Sequence, residues 1–187
     1  MSSLRVTELE EPPGPVTADL FRSVFRDHAA RVVVVTAPGD PSPAGFTATS
    51  LASVSLQPPM VSFAVARSAS AWATVSRSTR LAVHLLAHDQ DWLARTFATS
   101  GIDRFAEVRW RTAPGGEPLI DGCAAYLCCE VVQHVPAGDH VVVLARVDEA
   151  RVNRSGSPLI YHDGAYASVG PFAHDPPTPI TTRRPAR

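Results

Sequence analysis

The stretch from Gly45 to Met60 reads GFTATSLASVSLQPPM and separates two hydrophobic segments of the chain. Short hydroxyl side chains recur along it, with small alanines between them: Thr47, Thr49, Ser50, Ser53 and Ser55, with Ala48 and Ala52. Hydroxyls and backbone amides can bind a phosphate or the edge of a heterocycle without adding charge, and small side chains let such a ligand approach the backbone. The same residues are typical of an ordinary Ser- and Thr-rich strand and turn, so two interpretations stay open.

The segments around this stretch indicate a mainly β protein. Residues 31–37 contain four consecutive valines, and this unbroken β-branched run predicts a strand that is buried on both faces. Pro58 and Pro59 impose an extended backbone on the approach to a second strand at residues 60–66. Further strands are expected at residues 81–87, 123–135, 140–152 and 158–169, with residues 136–139 joining the second and third of these as a hairpin.

Short helices are expected beside these strands. Thr17 is positioned to cap a helix over residues 18–29, which we expect to lie against the sheet. Ser70 is expected to cap a short helix, whose free N–H groups would then face the end of the strand at residues 60–66. Residues 89–99 carry apolar side chains at helical spacing and predict a third helix.

The chain is expected to form one domain between two irregular ends. Residues 1–16 are acidic and contain three prolines, which predicts a flexible N-terminal arm. Residues 170–187 contain five prolines, which predicts a disordered C-terminal tail. The folded domain is therefore expected to span residues 17–169.

Composition and charge narrow the classes of partner. The 187 residues are 45% hydrophobic and 19% charged, which is typical of one folded domain with a substantial core. A formal net charge of −1 without a Lys/Arg cluster argues against nucleic acid or an anionic membrane as the main partner. No apolar run approaches the length of about 20 residues that crosses a bilayer, and the N-terminus lacks a signal-peptide pattern. A small-molecule partner and a cytoplasmic location are therefore expected.

Several catalytic and nucleotide-binding motifs are missing from the sequence. It contains no GxGxxG after a strand, no GxxxxGK[ST], no HExxH and no GxSxG. These absences disfavour a Rossmann domain, a P-loop, a zinc site and a Ser hydrolase, and we predict no metal site. Cys123, Cys128 and Cys129 have no CxxC spacing and are expected to be buried thiols, with the adjacent pair on opposite faces of a strand.

The hydroxyl-rich stretch resembles a segment of a known family. Its Gly-Phe-Thr-Ala-Thr-Ser, Ser-Val-Ser-Leu and Pro-Pro elements resemble the flavin-contacting segment of the flavin reductase-like family, whose fold is an FMN-binding split barrel. The similarity continues at Gly138-Asp139-His140 and in the run PLIYHDGAY over residues 158–166. It covers most of residues 18–169.

This resemblance implies a fold and an activity. The expected fold is a split β-barrel with a few flanking α-helices, assembled as a homodimer that binds flavin at the subunit interface. The expected activity is hydride transfer from NADH or NADPH to FMN or FAD, with the reduced flavin supplied to a partner monooxygenase. Flavin chemistry needs few acid or base side chains, which agrees with the missing motifs. Two alternatives stay open: an enzyme that keeps its flavin and oxidises a substrate directly, and a non-catalytic flavin or haem carrier.

The resemblance also implies roles for individual residues. The residues expected to bind the flavin ring and ribityl chain are Thr47, Ala48, Thr49, Ser50, Ser53, Val54 and Ser55, with Tyr166 near the flavin. The residues expected to bind its phosphate are Arg67, Ser68 and Ser70. His140 is the expected catalytic residue, because in related reductases Gly-Asp-His, four further residues and a Gly are associated with nicotinamide binding. Here the last position is Ala145, and a local turn hydrogen bond is the alternative role of His140.

Overall fold

A computed structural model describes residues 15–170 of the chain. Within this range the helices are α1 (Ala18–Arg26), α2 (Trp72–Val75) and α3 (Asp91–Ala98). The strands are β1 (Ala30–Arg31), β2 (Val33–Ala37), β3 (Ala44–Ala48), β4 (Ala52–Leu56), β5 (Pro59–Ala66), β6 (Arg80–Leu85), β7 (Trp110–Thr112), β8 (Pro118–Ile120), β9 (Ala125–Ala137), β10 (His140–Val152), β11 (Leu159–His162) and β12 (Ala165–Ser168). Nearly all of the predicted N-terminal arm and C-terminal tail lies outside the described residues.

One antiparallel sheet of seven strands, in the order β3-β2-β6-β9-β10-β5-β4, forms the body of the protein. The two edge strands, β3 and β4, are consecutive in the sequence and are joined by residues 49–51. A flat sheet of this size would separate its edges by about 29 Å, because strands lie about 4.8 Å apart. The connection spans at most about 14 Å, so the sheet must curl into a barrel. The barrel stays open between β3 and β4, which confirms the predicted split β-barrel.

Strand β2 is buried on both faces, as its valines predict. Val33 and Val35 point into the barrel core, which also contains Phe46 and Phe63. Val34 lies on the opposite face, in a second core that packs the barrel wall against α3 and the loop after it. The short β7–β8 hairpin covers a third apolar cluster on the outside of β6 and β9. The site described below lies where the first two cores meet the opening.

The predicted hairpin over residues 123–152 is confirmed, but its turn is tighter than expected. Strand β9 continues to Ala137, so that Gly138 and Asp139 alone separate it from β10. Gly138 has φ +61°, and a positive φ at the first position of a two-residue loop is typical of a type II′ turn. The Arg67 N–H donates to the Asp139 carbonyl oxygen at 3.0 Å, which ties this turn to the end of β5.

Helix α1 begins as predicted and ends earlier. The Thr17 hydroxyl accepts a hydrogen bond from the Leu20 N–H at 3.2 Å, which confirms the predicted N-cap. The helix ends at Arg26, three residues before the predicted end. Within the described part of the chain none of its side chains is buried, so the expected packing against the sheet is not observed. Its C-terminal end contacts the β11–β12 hairpin, where the Asp163 N–H donates to the Arg26 carbonyl oxygen at 3.0 Å.

Two further predictions require correction. Ser70 does not cap α2, because the N-cap position is Ala71 and no side chain caps the helix. The predicted final strand at residues 158–169 is instead a hairpin of β11 and β12 that pairs with β1 in a separate three-stranded sheet. Its turn, at Asp163 and Gly164, interrupts what the sequence suggests is one extended segment.

The three cysteines are buried and free, as predicted. Cys128 belongs to the outer apolar cluster and Cys129 to the barrel core, so these neighbours do lie on opposite faces of β9. Burial raises the pKa of the Cys123 thiol to about 12, which keeps it protonated and unreactive near neutral pH. Among residues 15–170, no helix has both the length and the apolar character needed to cross a membrane.

Candidate functional site

A cavity of about 400 Å³ opens at the split of the barrel. This volume is within the range of about 300 to 1,000 Å³ that is typical of small-molecule sites. The cavity is bordered by β3 and the connection to β4, the end of β5 with the turn after it, the end of α3, and the first residue of β10. The residues that line it are Phe46, Thr47, Ala48, Thr49, Ser50, Ala64, Val65, Ala66, Ala69, Ser70, Phe97, Ala98, Ser100, Arg104 and His140.

The cavity brings together about half of the residues predicted for the site. Those that line it are Thr47, Ala48, Thr49, Ser50, Ser70 and His140. They come from segments separated by up to about ninety residues of sequence. The curled sheet brings them together because the second half of β5 extends past β4 and contacts β3. The hydroxyl-rich stretch is therefore both strand and cavity wall, so its two interpretations are compatible.

The hydroxyl groups in the wall divide into two kinds. The Thr47 hydroxyl donates to the Ala94 carbonyl oxygen of α3 at 2.6 Å, and the Ser50 hydroxyl accepts the Ala64 N–H at 2.8 Å across the opening. These two hydroxyls stabilise the packing of α3 and β5 around the cavity. The hydroxyls of Thr49 and Ser70 have no hydrogen-bond partner among residues 15–170 and are available to a ligand.

Small side chains give a ligand access to the backbone of the wall. The alanines that line the cavity are Ala48, Ala64, Ala66, Ala69 and Ala98. Gly45, just before this segment, must remain glycine, because a Cβ there would lie 2.5 Å from the Phe97 ring. At this point β3 packs closely against α3.

His140 is held at the mouth of the cavity by the hairpin turn. It is the first residue of β10 and pairs with Ala66 at the end of β5. Its Nδ1 lies 2.7 Å from Asp139 Oδ1, and this hydrogen bond lowers the pKa of the Asp139 carboxyl. A carboxylate can only accept a hydrogen bond, so Nδ1 donates to Asp139 and Nε2 stays free for a ligand. His140 therefore makes a hydrogen bond within the turn and also lines the cavity.

Arg104 is a cavity residue that the sequence-based prediction missed. Its Nε donates to the Thr99 carbonyl oxygen at 2.8 Å and its Nη1 to the Gly45 carbonyl oxygen at 2.7 Å. The neighbouring carboxylate, Asp103, accepts the Phe105 N–H at 2.9 Å. Burial lowers the pKa of the Arg104 guanidinium, which still remains charged. The only hint of this role in the sequence is that Arg104, a charged residue, directly precedes the apolar Phe105.

The remaining predicted residues of β4 and the β5 turn lie outside the cavity. Ser53 and Val54 are exposed on the edge strand β4. The Ser55 hydroxyl accepts the Gln57 N–H at 3.2 Å within the turn that leads to β5. Arg67 and Ser68 are exposed beyond the end of β5. Their predicted contacts with the flavin remain predictions.

Tyr166 lines a separate recess beside the cavity. The recess has a volume of about 450 Å³, and Ala98 lines both spaces. The Arg95 guanidinium lies 4.9 Å from the centre of the Tyr166 ring, at a distance typical of a cation–π contact. Tyr166 is therefore next to the cavity without lining it.

The donor set of the cavity fits a flavin. Free hydroxyls and accessible backbone amides suit the polar edges of a flat heterocycle, and Phe46 and Phe97 supply apolar surface. Arg104 adds one positive charge that could face an anionic part of the ligand. Within residues 15–170, no carboxylate lines the cavity. The described residues include no group of three His, Cys, Asp or Glu side chains that could hold a metal ion.

Comparison with curated proteins gives relatives with a consistent activity. The chain is 38% identical over 162 residues to an NADH:FMN oxidoreductase from Rhodococcus qingshengii, covering 84% of each chain. It is 32% identical over 151 residues to the reductase subunit of a flavin-dependent monooxygenase from Rhodococcus jostii (strain RHA1), covering 81% of this chain and 77% of that protein.

Comparison with solved structures extends this similarity to the fold. An NADH:FAD oxidoreductase from Streptomyces globisporus C-1027, solved in complex with NAD and FAD fragments, superposes with a TM-score of 0.80 at 33% identity. The match covers 88% of this chain and 99% of that one. A family model described as flavin reductase like domain matches residues 25–170, which contain the whole cavity. The chain therefore belongs to the flavin reductase like domain family.

Proposed function

We propose that this protein is an NAD(P)H-dependent flavin reductase, which transfers a hydride from NADH or NADPH to FMN or FAD. The observation that carries the proposal is the cavity at the barrel opening, which combines free hydroxyls and accessible backbone with His140 at its mouth. When bound there, a flavin would supply the hydride-accepting chemistry itself. The protein then has to bind and orient two ligands.

The cavity residues divide this work between them. Thr49 and Ser70 offer free hydroxyls to the polar edge of the ligand, and the alanines of β3 and β5 let it lie close to the backbone. Thr47 and Ser50 act indirectly, because their hydroxyls hold α3 and β5 in place around the cavity. This arrangement is set before a ligand arrives, which reduces the ordering that binding requires.

His140 is proposed to contact the nicotinamide dinucleotide. Its hydrogen bond with Asp139 orients the ring, and Nε2 is free to form a hydrogen bond with a carboxamide or a ribose hydroxyl. The position at the mouth suits a second ligand that stacks on a flavin already bound deeper in the cavity. His140 thus acts in binding and orientation.

We propose that the reduced flavin leaves and supplies a partner monooxygenase. The relative from R. jostii is named as the reductase subunit of such an enzyme, which supports this role. The cavity is open on one side and no helix or strand of residues 15–170 covers it, so a flavin can enter and leave by diffusion. The flavin would then act as a substrate that is released after each turnover.

We also propose that the protein works as a homodimer. Helix α1 exposes Leu20, Phe21, Val24 and Phe25, which lie on one side of the helix at i, i+1, i+4 and i+5. A helix of nine residues is marginal on its own in water, so it needs a packing surface. A second copy of the chain would provide one.

A cytoplasmic location is part of the same proposal. The three cysteines are buried and unpaired, which suits a reducing compartment. The proposed nicotinamide co-substrates are available there. Fractionation of the native host, followed by immunoblotting, would check this location.

Stopped-flow spectroscopy tests the proposed activity. Purified protein mixed with NADH or NADPH should accelerate the loss of oxidised-flavin absorbance well beyond the rate of free FMN or FAD. Steady-state turnover with excess free flavin should continue until the nicotinamide is consumed. A flavin that stays bound and is reduced once would favour an enzyme that keeps its flavin, and binding without any reduction would favour a carrier.

A further inference from the structure

We propose that Arg104, with Ser70, holds the phosphate group of the flavin, in place of the predicted Arg67 and Ser68. The inference deepens the proposed function and rests on it. Three features of Arg104 support this role: its side chain is fixed by backbone hydrogen bonds, it has no carboxylate partner among the described residues, and it lies between two cavities.

The Arg104 side chain is fixed in position by the backbone on both sides of it. The carbonyl oxygen of Thr99, at the end of α3, accepts from Nε, and the carbonyl oxygen of Gly45, on β3, accepts from Nη1. A guanidinium has five N–H donors, so three remain without an acceptor among residues 15–170. An arginine held in this way is ready to donate two further hydrogen bonds to one anion.

Unlike Arg80 and Arg154, Arg104 has no carboxylate partner among the described residues. Arg80 contacts Glu117, and Arg154 contacts Asp89 at 2.7 Å. Among the described residues no carboxylate lies within ion-pair distance of Arg104, and the adjacent Asp103 accepts the Phe105 N–H. A guanidinium that lines a cavity with free N–H donors and no carboxylate beside it favours an anionic ligand there.

The position of Arg104 indicates which anion this is. Ser70 and Arg104 line the flavin cavity and also a second cavity of about 320 Å³ on their other side. The two residues therefore form the boundary between these spaces. In FMN the phosphate terminates the chain that extends from the ring, and in FAD further groups continue beyond it. With its phosphate at this boundary, the flavin would have its ring in the first cavity, and the further groups of FAD would extend into the second cavity.

Arg67 is less suited to this role. Its side chain is exposed and lines neither cavity, and it is the backbone N–H of Arg67 that is engaged, with the Asp139 carbonyl oxygen. An exposed arginine loses side-chain entropy on binding and is screened by solvent, so it contributes less to binding an anion than one already held in place.

Flavins with and without the phosphate separate this inference from its rivals. FMN, FAD and riboflavin would be titrated into the wild-type protein and into Arg104→Gln, Arg104→Lys, Arg67→Gln and the matched control Arg77→Gln. Arg77 is an exposed arginine remote from both cavities. Arg104→Gln should weaken FMN and FAD by about tenfold or more and riboflavin by less than about twofold, because only the first two carry the phosphate. The FMN and FAD affinities of Arg104→Lys should lie between those of the wild type and of Arg104→Gln. The affinities of Arg77→Gln should match those of the wild type.

Each other result counts against the inference. If Arg104→Gln weakens the binding of riboflavin and FMN equally, Arg104 contacts the ring or stabilises the fold. If only Arg67→Gln loses the preference for FMN over riboflavin, the original prediction of Arg67 is restored. An unchanged FMN affinity with a raised KM for NADH would place the dinucleotide phosphates at Arg104. If Arg104→Gln does not fold, an FMN-to-riboflavin ratio in Arg104→Lys equal to that of the wild type would overturn the inference. A wild-type protein that binds no flavin would overturn the proposed function as well.

Discussion

His140 shows how one side chain can stabilise a turn and serve a site. Its ring is oriented by Asp139, but both side chains are largely exposed, at 46% and 93%. Exposed ion pairs contribute little to stability, because water screens them and both side chains lose freedom. We therefore expect the larger effect of His140 to be on the ligand.

Replacing His140 by Ala tests this expectation. The variant should raise the KM for NADH or NADPH, or slow the reduction of bound flavin, by several-fold, while flavin affinity and Tm change little. Single-turnover reduction over a range of NADH concentrations, with a parallel melting curve, measures both. Asp139→Asn is the matched control, because it removes the carboxylate and leaves the ring. Normal hydride transfer together with a lowered Tm in His140→Ala would remove the residue from the site.

At the scale of elements, His84 links three strands of the fold. It lies on β6, fully buried, with Nδ1 3.1 Å from the Val34 carbonyl oxygen on β2. The Ile120 N–H of β8 donates to its Nε2 at 3.0 Å. These two bonds require the neutral ring, with the proton on Nδ1. Burial accordingly lowers the pKa of His84 to about 4.

This buried histidine predicts acid sensitivity. Between pH of about 6.5 and about 4 the unfolded chain binds a proton at His84 that the folded chain does not, so the free energy of unfolding falls as the pH falls. The loss should reach on the order of 3 kcal/mol by the lower limit of this window. Urea unfolding at several pH values should show a shallower dependence in His84→Gln than in the wild type.

The exposed His88 provides the control for this experiment. His88→Gln should keep the full pH dependence, because it removes an exposed histidine and leaves the buried His84 in place. The His84→Gln variant will also be less stable at neutral pH, so the comparison concerns the slope with pH and not the absolute stability. Equal slopes in His84→Gln and the wild type would show that other groups cause the acid sensitivity.

At the scale of the whole molecule, helix α1 is the part whose packing the single chain leaves incomplete. Its side chains Phe21 and Phe25 are 56% and 53% exposed, although their rings contact each other at 4.7 Å between centroids. Light scattering with size-exclusion chromatography should give a mass of about twice the 20.0 kDa chain. The double substitution Phe21→Ser and Phe25→Ser should shift this mass toward the monomer, because it removes the apolar surface that would be buried.

Arg22→Ser is the matched control for the dimer, since Arg22 lies on the same helix and pairs locally with Asp19. It should leave the mass unchanged. Flavin affinity measured on the same samples would show whether the second copy contributes to the site, as the resemblance implies. A wild-type protein that remains monomeric at micromolar concentration would contradict the dimer proposal.

Local chemistry made much of this protein predictable from its sequence. Four consecutive valines indicate a strand without a solvent face, and β2 is buried on both sides. Gly138 and Asp139 indicate a hairpin, though not how tight its turn is, and the residues that resemble the flavin reductase family indicate the barrel and the stretch that lines its opening. These features depend on neighbours in the sequence, so residue order alone was sufficient for them.

The selection of residues that reach the cavity was decided by the tertiary structure. Thr47 and Thr49 are two residues apart and equally polar, yet the first bonds to α3 while the second is free, because α3 packs against β3 at Gly45. Arg104 joins Gly45 across 59 residues of sequence. No local pattern encodes that distance. It arises because α3 and the loop after it pack against β3 at the open edge of the curled sheet.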